Sequence, residues 1–253
     1  MRPALVATIA LAFASPPAAA QSSADKTAAG QAAEQRLHTD WAWMGRYKAD
    51  DAALAGPSKE PRVVFMGDSI TQMWRDARPG FFVAGRIGRG IGGQTTPQML
   101  VRFRQDVIAL HPAVVQIMAG TNDIASNTGP MTAQETEANF RTMTELAQAH
   151  GIRVILASIP PASHFAWRPG LEVTQKIEAL NAWLKDYAAR TGSTYADYWS
   201  ALQDGKGGFV VAWTTDGVHP NPIGFDHMIP VAQKAIAEAL SKPAPVPRVV
   251  ADK

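Results

Sequence analysis

The sequence predicts a doubly wound, three-layer α/β/α sandwich of about five parallel strands, and three observations predict it. Short, unbroken apolar runs such as Val63-Val64-Phe65-Met66 fit strands buried on both faces of a parallel sheet. These runs alternate with stretches of helical spacing, the pattern of repeated strand–helix units. At 253 residues, 46% of them hydrophobic, the chain can bury the core of one such domain with appendages. No internal repeat or second domain is evident.

The N-terminus reads as a targeting segment. Arg2 supplies a minimal positive region, residues 4–14 an apolar stretch, and Ala18-Ala19-Ala20 a small-residue cleavage site before Gln21. A signal peptide over 1–20 implies export to the periplasm or the extracellular medium. Its apolar stretch is too short to span a bilayer, and no later segment offers a stable membrane anchor. Residues 21–30, polar and Ala-rich, read as a disordered linker. A single domain then runs over 31–240. It begins with an amphipathic helix over 31–54, where Leu37, Trp41, Met44 and Tyr47 recur at helical spacing.

Val63 to Met66 form the first strand, which stops at Gly67-Asp68-Ser69-Ile70. A second strand is expected over 81–87, followed by the glycine-rich run 88–95 and a helix over 96–109 with Pro97 in its first turn. The third strand, 113–118, ends in Gly120-Thr121-Asn122-Asp123. Thr132 and Glu135 form a capping-box pattern that opens a helix running to His150, where Gly151 stops it. A fourth strand over 152–159, a loop over 160–170, a helix over 171–190 and a short strand over 194–197 follow. Asp216-Gly217-Val218-His219 precedes a last helix from Pro222 to about Leu240, and the Pro-rich tail 241–253 reads as loose.

Charge and composition narrow the function. A net charge of +2 without a basic stripe does not suit a nucleic-acid binder. The absence of cysteine excludes disulfides, cysteine-based zinc sites, a cysteine nucleophile and a lipoprotein anchor. The unusual polar residues, by contrast, fall in one kind of place. Ser69, Gly93 and Asn122 each follow a predicted strand, and Asp216 with His219 follows the last one. Parallel strands bring such ends to one edge of the sheet, where ligands of this architecture bind.

Each residue type has a task in acyl transfer. A serine hydroxyl needs an adjacent imidazole to take its proton, for which His219 is the candidate. Asp216 can hold the imidazole tautomer and stabilise the imidazolium. The backbone N–H groups of Ser69 and Gly93 and the Asn122 amide are the candidate donors for a tetrahedral oxyanion. Taken singly, each has a bland reading: a cap, a tight turn, an Asx-turn or a surface turn.

Together, Gly67-Asp68-Ser69-Ile70, Gly92-Gly93-Gln94-Thr95, Gly120-Thr121-Asn122-Asp123 and Asp216-Gly217-Val218-His219-Pro220 resemble the motif blocks of the SGNH hydrolase superfamily, the GDSL-type esterases. They occur in family order over residues 62–240. The resemblance implies a flavodoxin-like sandwich and a cofactor-free serine esterase. Ser69, Gly93, Asn122 and His219 take the four named roles, and Asp216 completes a triad. Gly88 stands where relatives often carry Asn, outside the chemistry.

Other readings fit less well. Gly88-x-Gly90-x-x-Gly93 matches the dinucleotide fingerprint, but no acidic residue lies between Ala109 and Asn122 to hold a ribose. The α/β-hydrolase elbow is missing its final glycine, replaced by Thr71. The six histidines are scattered, which speaks against a metal-dependent phosphoesterase, and no metal is expected. A non-catalytic carbohydrate-binding relative competes from another class, although a binder needs neither nucleophile nor base. Short loops between the blocks suit small acyl groups, acetyl esters of carbohydrates or small molecules, over a lysophospholipase or thioesterase substrate. Trp74, Trp167 and Arg168 are the candidate substrate contacts, with core packing as the alternative for Trp74 and a self-packed loop for the other two.

Overall fold

The computed structural model describes residues 28–248 except 29, 33, 55 and 57. The expected signal peptide and the linker as far as residue 27 lie outside the described residues. The chain divides into two compact units, Met1–Trp41 and Ala42–Lys253. In the first, residues 28, 30–32 and 34–39 are helical (α1), and the His38 ring sits 3.3 Å from the Glu34 carboxylate one turn back.

The second unit begins with a departure from expectation. No single helix spans 31–54: after residue 39 the chain turns, Trp43 adopts a left-handed φ of 52°, and a short helix α2 (Lys48–Ala53) follows. The break lets Tyr47 enter the core completely, its hydroxyl donating to the Gly90 carbonyl.

Five parallel strands then form one sheet in the order β2-β1-β3-β4-β5, comprising β1 (Val63–Gly67), β2 (Arg86–Gly90), β3 (Val114–Met118), β4 (Arg153–Ala157) and β5 (Thr194–Ala196). Successive residues of a strand point to opposite faces, and β1 feeds both sides of the core. Val64 and Met66 pack under α4 (Thr96–Asp106), α6 (Ala133–Ala149) and α7 (Thr174–Thr191). Val63 and Phe65 pack under α3 (Ser69–Ala77), α8 (Tyr198–Leu202) and α9 (Pro222–Ser241). A one-turn helix, α5 (Thr121–Ile124), follows β3. This is the three-layer α/β/α sandwich the sequence predicts.

The second strand lies later than the sequence suggests. Phe81 and Phe82 enter an aromatic cluster, while Ala84 (φ 51°) and Gly85 (φ 83°) turn the chain before β2 starts at Arg86. Its glycines serve contact: a Cβ on Gly90 would fall 2.2 Å from the Gln72 backbone nitrogen, so only glycine lets β2 lie against α3. The Thr132–Glu135 capping box forms as expected. The tail as far as residue 248 is tied down, with the Lys242 carbonyl accepting from Arg153 and the Arg248 N–H donating to the Ala149 carbonyl.

Candidate active site

The carboxyl ends of β1, β2 and β3 deliver the candidate residues to one edge. Chain direction reverses after Gly67, and Asp68 caps α3 by accepting from the Ile70 N–H at 3.0 Å. Ser69 is therefore the first residue of a nine-residue helix, where free N–H groups and the helix dipole favour negative charge. The N–H groups of Ser69 and Gly93 make no hydrogen bond among the described residues. Gly93 is exposed, with a left-handed φ of 76°.

Ser69 Oγ lies 2.9 Å from His219 Nε2, although 150 positions separate them. On the other side of the ring, His219 Nδ1 lies 2.8 Å from Asp216 Oδ2. An ionised carboxylate only accepts, so Nδ1 carries the proton, and the Nε2 lone pair faces the serine hydroxyl. The turn is built to hold this pair. Asp216 Oδ1 accepts from the N–H groups of Val218 (3.0 Å) and His219 (2.8 Å), and Thr214 Oγ1 donates to the His219 carbonyl. Partial burial alone would raise the Asp216 pKa, but the bonds from His219 and Val218 outweigh it and hold the carboxyl below its ordinary value.

Asn122 is the buried second residue of α5, after β3, and reaches Asp68, the residue that precedes Ser69. Its Nδ2 donates to the Gln94 carbonyl (3.0 Å) and Asp68 Oδ2 (3.3 Å), and its Oδ1 accepts from Asn127 Nδ2 (2.7 Å). Burial pushes the Asp68 carboxyl up to about 6, against the opposing Ile70 N–H and the nearby His219.

Among the three candidate substrate contacts, the structure separates one from the others. Trp74 is a core residue: it is fully buried, stacked on Phe81 (5.0 Å, 5°) and Phe225 (6.1 Å, 5°). The spacing held the clue, since Ile70 and Trp74 at i and i+4 share the buried face of α3. Trp167 is 40% exposed, with its ring centroid 6.3 Å from that of His219. Arg168 is exposed on the same loop, and its side chain makes no hydrogen bond or ion pair among the described residues.

Residues that sequence reasoning passed over also shape the site. Gln72, one turn after Ser69, accepts from the Gly92 N–H at 2.8 Å. Buried Arg102 donates to the Gly67 and Arg89 carbonyls and to Gln94 Oε1 (3.0, 2.9 and 2.6 Å), and pairs with Asp106 at 2.8 Å. The Arg102–Asp106 spacing at i,i+4 resembles an ordinary surface pair, which hid its burial.

The model of the GDSL-like lipase/acylhydrolase family matches residues 65–227. A GDSL-like lipase structure from Bacteroides thetaiotaomicron is 45% identical, with a TM-score of 0.76 over 79% of this chain and all of that one. The isoamyl acetate-hydrolyzing esterase 1 homolog of Bos taurus is 28% identical over 216 residues, 73% of this chain and 86% of its own. An acetylxylan esterase from Geobacillus stearothermophilus, 21% identical, shares the fold with a TM-score of 0.59 over 74% of this chain and 98% of that one.

Proposed function

The chain belongs to the GDSL-like lipase/acylhydrolase family and is a carboxylic-ester hydrolase; from that premise we propose that it cleaves short-chain, acetyl-type esters through a Ser69–His219–Asp216 triad. The observation that carries this reading is the unbroken line from Ser69 Oγ through the His219 ring to Asp216, at 2.9 and 2.8 Å.

Ser69 Oγ attacks the acyl carbon as its proton passes to His219 Nε2, and the carbonyl electron pair moves onto oxygen. The oxyanion accepts from the Ser69 and Gly93 N–H groups and from Asn122 Nδ2. For Asn122 this means exchanging its longer contact, the 3.3 Å bond to Asp68, for the oxyanion. Collapse of the intermediate releases the alcohol, which takes the proton from His219. Water, deprotonated by the same nitrogen, then attacks the acyl-enzyme, releasing the carboxylic acid and restoring Ser69. Asp216 stays ionised and steadies the imidazolium in both halves.

A small acyl group suits the short loops around the site, and the Bos taurus relative is named for an acetate ester. Exposed Trp167 beside His219 offers a flat apolar face to a sugar ring. Acetate release from acetylated sugars, alongside a nitrophenyl ester series, tests the proposal. We expect turnover to be greatest with acetate. A maximum at long acyl chains would favour a lysophospholipase or thioesterase, and binding without turnover a carbohydrate-binding protein. We further propose that the chain is exported; a mature N-terminus near Gln21 would support this and an intact Met1 would oppose it.

A further inference from the structure

The Asn122 amide is the inner end of a line of side chains that leads out to the loop wall. Trp167 Nε1 donates to Asn127 Oδ1 (3.3 Å), and Asn127 Nδ2 donates to Asn122 Oδ1 (2.7 Å). We propose that Asn127 is a positioning residue of the ester-hydrolysing site, the middle of a one-way hydrogen-bond relay by which Trp167 fixes the orientation of Asn122. The proposal rests on the reading of Asn122 as an oxyanion donor.

The direction of the relay follows from donor chemistry. An indole N–H only donates, whereas a carboxamide can donate from one end and accept at the other. Because Trp167 must donate, Asn127 turns its oxygen outward and its nitrogen inward. That nitrogen engages Asn122 Oδ1, leaving Asn122 Nδ2 to face Gln94 and Asp68 beside Ser69. The Gln94 carbonyl and Asp68 hold the nitrogen end, and Asn127 holds the oxygen end. When the oxyanion draws Nδ2 away from Asp68, the bond to Asn127 acts with the remaining contact to the Gln94 carbonyl to keep the amide from rotating and presenting its oxygen to the developing charge.

The backbone is arranged to keep Asn127 in place. Ser126 takes a left-handed φ of 56°, folding the chain back so that the Asn127 N–H donates to the Asn122 carbonyl at 3.0 Å. Thr128 Oγ1 lies 2.9 Å from Thr95 Oγ1, joining this loop to the one that carries Gly93. These anchors leave the Asn127 side chain free to be changed without moving the loop, and the residue is exposed, so little core packing depends on it. Trp167 in turn is stacked on buried Phe165 (4.9 Å, 9°) and stands beside His219. A substrate group that settles against Trp167 therefore presses on the residue that orients the oxyanion donor.

Steady-state kinetics on nitrophenyl acetate test the relay with Asn127→Asp, Trp167→Phe, Asn122→Ala and the double variant Asn122→Ala/Asn127→Asp, each checked by thermal denaturation. Asn127→Asp keeps the shape but turns an oxygen toward Asn122 Oδ1. It should lower kcat at least about tenfold, a part of the roughly 100- to 1,000-fold that deleting an oxyanion donor costs, with KM and Tm nearly unchanged. Trp167→Phe keeps a ring but removes the donor, and should lower kcat by a smaller factor. In the Asn122→Ala background Asn127→Asp should add nothing, because it acts through Asn122. If Asn122→Ala is impaired but Asn127→Asp is not, or if the Asn127→Asp loss persists in that background, the relay is overturned and the oxyanion reading stands. Full activity in Asn122→Ala would overturn both.

Discussion

Replacing Arg102 with methionine should destabilise the fold that aligns the site, by an amount the contacts allow us to size. The guanidinium is fully buried, and its partner Asp106 is 1% exposed. It ties the end of β1 (Gly67 carbonyl) to β2 (Arg89 carbonyl) and to Gln94, the neighbour of Gly93. Burial pulls the Arg102 pKa down while Asp106 opposes it, as expected of a charge kept ionised by its partner. Methionine fills similar space but strands the Asp106 carboxylate, and breaking a buried pair in this way costs about 3–5 kcal/mol. That is a large part of the roughly 5–15 kcal/mol that stabilises a typical domain. The assay is urea denaturation followed by tryptophan fluorescence. The double variant Arg102→Met/Asp106→Leu leaves no carboxylate stranded and should recover at least about 1 kcal/mol of the loss. A loss under about 1 kcal/mol for Arg102→Met, or losses that simply add in the double variant, would show that Asp106 is not left stranded by the substitution.

Three further outcomes follow from the same contacts. Asp216→Asn removes the acceptor that fixes the His219 tautomer and should lower kcat by about 10²–10⁴ with little change in KM; an unchanged kcat would remove Asp216 from the mechanism. Gly90→Ala would push a methyl to 2.2 Å from the Gln72 nitrogen and 2.7 Å from the Asp68 carbonyl, both backbone atoms that cannot swing away. It should cost at least about 1–3 kcal/mol and impair turnover, and a wild-type melting temperature would contradict the close approach. Asp68 supplies a pH dependence. Its pKa rises from 3.8 to about 6 on burial, so the folded state holds this proton more tightly than the unfolded chain. Stability is then greatest below the unfolded value and declines as pH rises through the folded one, by about 3 kcal/mol in all. Burial also raises the Asp123 and Asp51 carboxyls, so both wild type and Asp68→Asn lose stability between about pH 4 and about pH 7, and in denaturation the decline should be steeper in the wild type than in Asp68→Asn; parallel curves would argue against it.

What the sequence disclosed and what it concealed have physical causes. Apolar runs and caps report local structure, so β1, β3 and β4 and the long helices were legible from periodicity and from pairs such as Thr132 with Glu135. The second strand was misplaced because Phe81 and Phe82 look like strand residues, while the true β2 is glycine-rich for the sake of contact with α3. Tyr47 fitted a helical stripe, yet its burial required that helix to break. At the site, residues whose chemistry is unusual announced themselves: a serine and an asparagine just past strand ends, and a histidine in the loop before α9. Those that act by hydrogen-bond direction, Asn127 and Gln72, or by burial, Arg102, have ordinary neighbours in the sequence. Their roles emerge only when distant loops are brought together.

Ester hydrolysis by the proposed triad requires that Ser69 become acylated. Treating the protein with a fluorophosphonate and mapping the adduct by peptide mass spectrometry tests this directly. One adduct on the peptide carrying Ser69, formed in step with loss of esterase activity and absent from His219→Ala, is the expected result. Modification at another residue, or full turnover by Ser69→Ala, would contradict it.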